Sequence, residues 1–179
     1  MRKTVVFVLG PDRPGIIAAV SQTLFEQGCN LEDVTHTTLQ TEFVGIFLAS
    51  VRDEVREEDL FFALQGSLSH LRLFVHLRPL DEARAFAPPP GEPFVITTLG
   101  PDRPGLVAGI SGILAHFGVN ISNMKAVSRG EEYIVFYEVD VPASVDHRAF
   151  RQALHGRAAE LGLDVNLQHR EIFEQVHRI

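Results

Sequence analysis

A seven-residue string occurs twice in this chain, and this repeat constrains the fold more than any other feature. Leu-Gly-Pro-Asp-Arg-Pro-Gly spans residues 9–15 and again 99–105, so the copies are 90 residues apart. The same offset continues beyond the string, because Ser21 matches Ser111 and Asn30 matches Asn120. A fixed period of this length indicates a duplicated structural unit. We therefore interpret the 179 residues as one unit of roughly 80 residues that occurs twice.

Each unit shows the same succession of hydrophobic patterns. The first unit begins with an apolar strand at 4–9, the repeated turn, and a helix that starts at Pro14 and runs to about residue 27. Its apolar stripe is predicted as Ile17, Val20, Ser21 and Leu24. The later elements are a polar strand at 30–40, an apolar strand at 43–51, a helix at 57–69 and an alternating strand at 71–77. The second unit repeats this order at 94–99, 104–117, 120–128, 133–141, 145–161 and 163–169.

The order β-α-β-β-α-β predicts an α+β protein made of two ferredoxin-like units, each an antiparallel sheet with its helices on one face. Right-handed crossovers place the first and third strands in the centre of each sheet and the other two at its edges. The third strand of the first unit is almost wholly apolar. We therefore expect its other face, or its edge, to be covered as well, by a second unit from this chain or from another.

Three consecutive prolines at 88–90 indicate a semi-rigid linker between the units. We predict a first domain over 1–79, a linker over 80–92, a second domain over 93–170 and a C-terminal tail over 171–179. The tail carries apolar residues at helical spacing, which suit docking on the body or on a partner: Ile172, Phe173, Val176 and Ile179.

Composition and charge exclude several classes of protein. The formal net charge of −7 disfavours direct binding of nucleic acid. No run of about 18 apolar residues is present, so no membrane span is expected. The single Cys29 precludes an intrachain disulfide and fits a reducing cytoplasm, where we expect the protein to reside. The eight histidines form no ligand-like cluster, so we expect neither a metal site nor a cofactor.

The repeated turn is the feature that points to ligand binding. The first amides of a helix lack intrahelical partners, and Gly15 and Gly105 leave them open to close approach. Such a helix start favours a carboxylate or a phosphate, whereas Asp12 and Asp102 add negative charge beside it. An amino acid satisfies both conditions, because its ammonium pairs with the aspartate and its carboxylate meets the amides. The alternative is that these residues form only a well-made helix start.

Two asparagines follow the first helix of each unit. The amides of Asn30 and Asn120 offer both donors and an acceptor, which suits the same zwitterion. A purely structural turn amide is the alternative. Beyond these asparagines the copies diverge, since Glu32 and Asp33 in the first copy become Ser122 and Asn123 in the second. If these positions touch ligand, the two sites differ in charge.

The motif Asp-x-Pro-Gly, followed about 13 residues later by Gly-x-Asn-Ile or Gly-x-Asn-Leu, resembles the ACT domain. Here these residues are 12–15 with 28–31 and 102–105 with 118–121, so the resemblance covers nearly the whole chain. The tandem arrangement is similar to the glycine cleavage system transcriptional repressor family. The resemblance implies binding of a small ligand, such as glycine or serine, between paired domains. The expected ligand contacts are Asp12, Pro14, Gly15, Ile16, Asn30, Leu31, Asp102, Pro104, Gly105, Leu106, Asn120 and Ile121.

These observations together predict a non-enzymatic regulatory protein that senses an amino acid. It would form a homo-oligomer and, if it regulates transcription, would act through a DNA-binding protein partner. An enzyme is disfavoured because the sequence offers no nucleophile–base pair and no metal-ligand set. The alternative is a module that only dimerises, without a ligand.

Overall fold

Two compact units make up the chain, Met1–Ala85 and Phe86–Ile179. The computed structural model describes residues 1–81 and 89–177, with the backbone alone at 176 and 177. Both units have the order β-α-β-β-α-β, which confirms the predicted α+β ferredoxin-like fold. Unit 1 contains β1 (Arg2–Pro11), α1 (Ile16–Glu26), β2 (Asn30–Leu39), β3 (Glu42–Val51), α2 (Glu57–Leu68) and β4 (Phe74–Pro79). Unit 2 contains β5 (Gly91–Pro101), α3 (Leu106–His116), β6 (Asn120–Arg129), β7 (Glu132–Pro142), α4 (His147–Glu160), β8 (Asp164–His169) and α5 (Arg170–His177).

Each unit has one four-stranded antiparallel sheet, ordered β2-β3-β1-β4 in unit 1 and β6-β7-β5-β8 in unit 2. The predicted central and edge strands are therefore confirmed. The register of unit 1 places Pro11 opposite Glu42 at one end of the sheet and Asn30 opposite Ser50 at the other. The repeated turn leaves from the first end, and the asparagine lies at the second.

Apolar side chains of the two helices and of one sheet face form a separate core in each unit. In unit 1, Leu24 of α1 and Leu64 of α2 are fully buried with Phe47 of β3. In unit 2, Ile110 of α3 and Leu154 of α4 are fully buried with Tyr137 of β7. Burial of these large side chains from both helices fixes each helix on the sheet and so fixes where α1 and α3 begin.

The sequence prediction was wrong about the start of the first helix. Pro14 lies in the preceding turn, and α1 begins at Ile16 with Gly15 as its N-cap residue in the left-handed region. The buried stripe is consequently Ile16, Val20, Thr23 and Leu24, while Ile17 is partly exposed. In unit 2, α3 likewise begins at Leu106 and not at Pro104.

Several other boundaries also moved. Leu71 belongs to a 3₁₀ turn, and β4 begins only at Phe74 because Arg72 adopts a left-handed conformation at φ 57°. Residues 91 and 92 of the predicted linker belong to β5. Linker residues 82–88 lie outside the described part of the chain, as do the side chains of Val176 and Ile179 in the tail.

The sheet face opposite the helices differs between the units. In unit 2, the C-terminal helix α5 lies on this face, with the ring centroid of Phe173 6.3 Å from that of Phe136. Arg170 anchors the start of α5, because its Nη2 lies 3.8 Å from Asp140 Oδ1. In unit 1, Val44 and Ile46 of β3 are exposed on the equivalent face. The cover expected for the apolar third strand stays a prediction.

Candidate functional site

The turn between β1 and α1 leaves the first amides of the helix without intrahelical partners. Gly15 has φ 96° and ψ −7°, and no side chain caps the helix. The first backbone hydrogen bond runs from the amide of Ala19 to the carbonyl oxygen of Gly15, over 2.9 Å. The amides of residues 16–18 precede that bond, so they are available to an acceptor outside the helix. The structure thus provides the open helix start that the sequence predicted.

Asp12 is tied to the hairpin that joins β2 and β3. Its amide donates to the carbonyl oxygen of Thr41 over 2.7 Å. The hydroxyl of Thr38 donates to Asp12 Oδ2 over 3.2 Å. These two bonds hold the carboxylate beside the helix start, so a negative charge and a group of hydrogen-bond donors share one small region.

A cavity of about 330 Å³ lies at this turn. Its size falls within the range of small-molecule sites, roughly 300–1,000 Å³. One wall is residues 12–18, and the other is His36, Thr38 and Phe43 of the hairpin. The rings of His36 and Phe43 are stacked, with centroids 5.8 Å apart and planes 19° apart. The cavity therefore combines donors, a carboxylate and an aromatic wall.

Sequence reasoning missed the three hairpin residues. The signal that could have found them is strand alternation, because His36 and Thr38 are two residues apart and share a sheet face. The register places His36 opposite Gly45 and Thr38 opposite Phe43, all on the helix side of the sheet. The pattern alone could not show which strand end lies beside the turn.

Unit 2 repeats the backbone of this site. Gly105 has φ 93°, and the amide of Gly109 donates to its carbonyl oxygen over 2.8 Å. The amide of Asp102 donates to the carbonyl oxygen of Glu131 over 3.0 Å, and the Ser128 hydroxyl donates to Asp102 Oδ2 over 3.4 Å. A cavity of about 400 Å³ is lined by residues 102–108 and Tyr133.

The side-chain walls of the two cavities differ. Ala126 takes the place of His36, and Tyr133 takes the place of Phe43, each 90 residues further along. The second cavity therefore has a phenol hydroxyl and lacks the stacked pair of rings. The duplicated backbone is common to both sites, whereas the walls that would contact a ligand side chain are not.

The predicted site residues fall into two separate groups. Asp12, Pro14, Gly15 and Ile16 line the turn cavity of unit 1, as Asp102, Pro104, Gly105 and Leu106 do in unit 2. Asn30 and Leu31 do not line it. On β3, Asn30 pairs with Ser50 and Pro11 pairs with Glu42. Ser50 and Glu42 are eight residues apart along this strand, a distance of about 27 Å. Within one unit, the asparagine and the turn are thus at opposite ends of the sheet.

Asn120 and Ile121 line a separate depression of about 570 Å³ along one side of α3. A β-bulge follows the asparagine in both units, between Leu31 and Asp33 and between Ile121 and Asn123. The bulge directs Glu32 toward the Ser50 hydroxyl, and that hydrogen bond is the main cause lowering the pKa of the Glu32 carboxyl. The charge difference between the copies therefore lies at the asparagine end of each sheet.

Other candidate chemistry finds little support in the part of the chain that the structure describes. No group of three or more His, Cys, Asp or Glu side chains there is arranged to hold a metal ion. Cys29 is buried, and burial raises the pKa of its thiol, which favours the unreactive protonated form. Within the same residues, no helix is both long and apolar enough to cross a membrane.

Fold and turn geometry together define a tandem α+β protein with a ligand-sized cavity at the first helix of each unit. The sequence profile of the ACT domain matches residues 3–77 and 92–168. The match covers well over half of the chain, which therefore belongs to the ACT-domain family. ACT domains are regulatory modules that bind amino acids.

Sequence relatives are proteins named UPF0237, a name that assigns no activity. The UPF0237 protein of Methanopyrus kandleri is 36% identical over 86 residues, which are 48% of this chain and 96% of that protein. The UPF0237 protein of Clostridium perfringens is 31% identical over 86 residues, 48% of this chain and 97% of that protein. Each relative thus matches a stretch about as long as one unit.

Two solved structures share the tandem fold. A protein of unknown function from Galdieria sulphuraria has a TM-score of 0.73 at 23% identity, with 94% of this chain and 98% of that chain covered. A provisionally assigned glycine cleavage system transcriptional repressor has a TM-score of 0.66 at 16% identity, with 93% and 96% covered. At these identities the likeness establishes the fold alone.

Proposed function

We propose that this protein is a non-catalytic amino-acid sensor that binds its ligand at the two turn cavities. The α-carboxylate of the ligand accepts hydrogen bonds from the amides that follow Gly15 or Gly105. Its α-ammonium pairs with Asp12 or Asp102. The observation that carries the proposal is the shared position of an uncapped helix start and a hairpin-bound carboxylate, repeated in both units.

The cavities, of about 330 and 400 Å³, have room for a small amino acid such as glycine or serine. Glycine has about five heavy atoms, and the best tiny ligands gain at most about 1.5 kcal/mol per heavy atom. That ceiling corresponds to micromolar affinity at best. A dissociation constant between micromolar and millimolar suits a sensor of a metabolite, because occupancy then changes over the range in which such metabolites vary.

The proposal for the regulated process rests on the name of the structural neighbour and on the charge of the chain. We place the protein in the cytoplasm as a transcriptional regulator of glycine cleavage or of amino-acid metabolism. The net charge of −7 favours action through a DNA-binding protein partner over direct contact with DNA. Ligand binding would change how the protein associates with that partner.

Calorimetry with glycine, serine and the remaining amino acids tests the sensing role. N-acetylglycine and glycinamide serve as probes that lack the ammonium and the carboxylate, respectively. We expect the variant Asp12→Asn with Asp102→Asn to bind glycine at least about tenfold more weakly, because a charged hydrogen bond contributes about 1.5–3 kcal/mol. The substitution keeps the size of each side chain and an oxygen that accepts the bond from Thr38 or Ser128.

The variant Glu26→Gln is the matched control, since it removes a negative charge at the far end of α1. It should bind as the unaltered protein does. Sensing is rejected if no amino acid gives heat, or if the two aspartate substitutions leave the affinity unchanged.

A second candidate is an interaction module that assembles without a ligand. The exposed Leu9, Val44 and Ile46 on the open sheet face of unit 1 favour it, because clustered apolar side chains of this kind mark interaction surfaces. Sedimentation with and without amino acid separates the candidates. Equal assembly in both conditions, together with silent calorimetry, supports the module.

A further inference from the structure

The edge of unit 1 formed by α2 and β4 carries an aromatic and acidic groove, and none of its lining residues lines the turn cavity of that unit. Phe62 is 65% exposed, and its ring packs edge-on against Phe61 with centroids 5.6 Å apart. A cavity of about 210 Å³ beside it is lined by Glu57, Glu58, Phe61, Phe62, His76 and Leu77. An exposed aromatic face beside carboxylates is a receptor for a cation, and for a guanidinium in particular.

The carboxylates in and beside this groove differ in whether they form an ion pair. Arg56 is paired with Glu58, and its Nε also lies 3.8 Å from Asp59 Oδ2. Glu57 forms no ion pair with any residue in the described ranges 1–81 and 89–177. A cation from outside the groove therefore has an available carboxylate next to the ring of Phe62.

The duplication supplies a surface of the opposite charge at the equivalent place in unit 2. Ninety residues after Glu57, Glu58 and Phe61 stand His147, Arg148 and Arg151. Arg148 and Arg151 are exposed on α4, and neither forms an ion pair with a residue that the structure describes. The same helix face is thus acidic and aromatic in one copy and basic in the other.

We propose that the α2 surface of unit 1 binds the α4 surface of unit 2 in a second copy of this chain. A guanidinium from α4 would occupy the groove beside Phe62 and pair with Glu57. Each chain offers one acidic and one basic surface, so the contact is heterologous, and in a dimer that closes it would form twice. Opposite charge on the two surfaces favours this pairing over contacts between like surfaces, because juxtaposed like charges repel.

Reversing the charge on each side in separate proteins tests the pairing. The acidic-side variant carries Glu57→Arg and Glu58→Arg, and the basic-side variant carries Arg148→Glu and Arg151→Glu. Sedimentation equilibrium without amino acid should show a dimer for the unaltered chain. Each variant alone should dimerise at least about tenfold more weakly, since it brings like charges together twice. An equimolar mixture of the two variants should recover the dimer. In a mixed dimer, one contact joins two surfaces whose charges are both reversed, and the other contact joins two unaltered surfaces.

Matched controls reverse exposed charges elsewhere, with Glu26→Arg on α1 and Lys125→Glu on β6. Both should dimerise normally, and circular dichroism should show every variant folded. A monomeric unaltered chain at all concentrations overturns the proposal, as do charge-reversal variants that behave like the controls. A further outcome also overturns the proposal. If a chain that carries all four substitutions dimerises normally but the equimolar mixture of the two variants does not, the contact lies within one chain. Calorimetry with glycine tests the sensing role separately, because the turn cavities are unaltered in these variants.

Discussion

The two glycines that begin α1 and α3 offer a direct test of the site backbone. Gly15 and Gly105 have φ values of 96° and 93°, and a Cβ built on either would meet no atom within 4 Å. An alanine therefore fits the available space but not the backbone conformation. The whole effect of Gly→Ala at these positions should be conformational, with no steric contribution from neighbours.

The expected magnitude follows from the backbone angles. A left-handed conformation costs an L-residue about 1–2 kcal/mol, so each substitution should lower the free energy of unfolding by about that amount. For a unit of this size, 1 kcal/mol corresponds to a fall of about 4–8 °C in Tm. If the substituted unit relieves the strain by rotating the peptide, the amides that follow it move, and affinity for glycine should fall as well.

Glycines inside helices provide the matched control. Gly66 of α2 and Gly156 of α4 also have no atom within 4 Å of a built Cβ, and neither has a positive φ. Alanine at these positions should raise the free energy of unfolding by about 0.5–1 kcal/mol, because it restricts the unfolded chain more than glycine does. Urea unfolding followed by far-ultraviolet circular dichroism measures all four variants. The same sign of change at the turn and helix positions would refute the assigned backbone conformation.

Two further predictions concern stability. Burial is the main cause that raises the pKa of Tyr137 to about 12, so the folded state keeps this proton at pH values where the unfolded state loses it. The contribution of Tyr137 to stability should therefore be constant below pH 10 and fall by up to about 1.4 kcal/mol per pH unit between pH 10 and 12, and Tyr137→Phe should flatten that fall in alkaline unfolding curves. Asp146 caps α4 by accepting from the amides of Arg148 and Ala149 over 2.8 and 3.2 Å, so Asp146→Ala should cost about 1 kcal/mol in urea unfolding. Arg56 occupies the equivalent position in unit 1, and its side chain caps no helix amide, so Arg56→Ala is the control. If Asp146→Ala leaves the free energy of unfolding unchanged, as Arg56→Ala should, the cap is contradicted.

The sequence was sufficient to predict the fold because several independent signals agreed. The 90-residue repeat established two units, and the order of elements in each unit fixed the topology and the central strands. The start of α1 was misplaced because a proline is compatible with both a turn and a first helical residue. The left-handed conformation of Gly15 decided between them, and a glycine in a sequence does not reveal its φ.

The candidate site was predicted only in part, and the reason is geometric. The helix start and Asp12 were found, because residues adjacent in sequence stay together in space. Asn30 was placed beside the turn because it is also near α1 in sequence, but α1 carries the chain away from the turn, so β2 begins with the asparagine at the far end of the sheet. His36 and Phe43 were missed for the converse reason, since they reach the turn only through the register of β2 with β3.

Comparison of the two cavities within the chain separates what each part of the site does. The glycine with positive φ, the open helix start and the aspartate held by a hairpin hydroxyl occur in both units, and these groups match the main-chain atoms that all amino acids share. The walls diverge, with His36, Thr38 and Phe43 in one cavity and Tyr133 in the other. In the proposed binding mode, walls of this kind would contact the side chain, which is the part in which amino acids differ. Duplication followed by change at the walls alone would therefore give one chain two sites with a common mode of recognition and different selectivity.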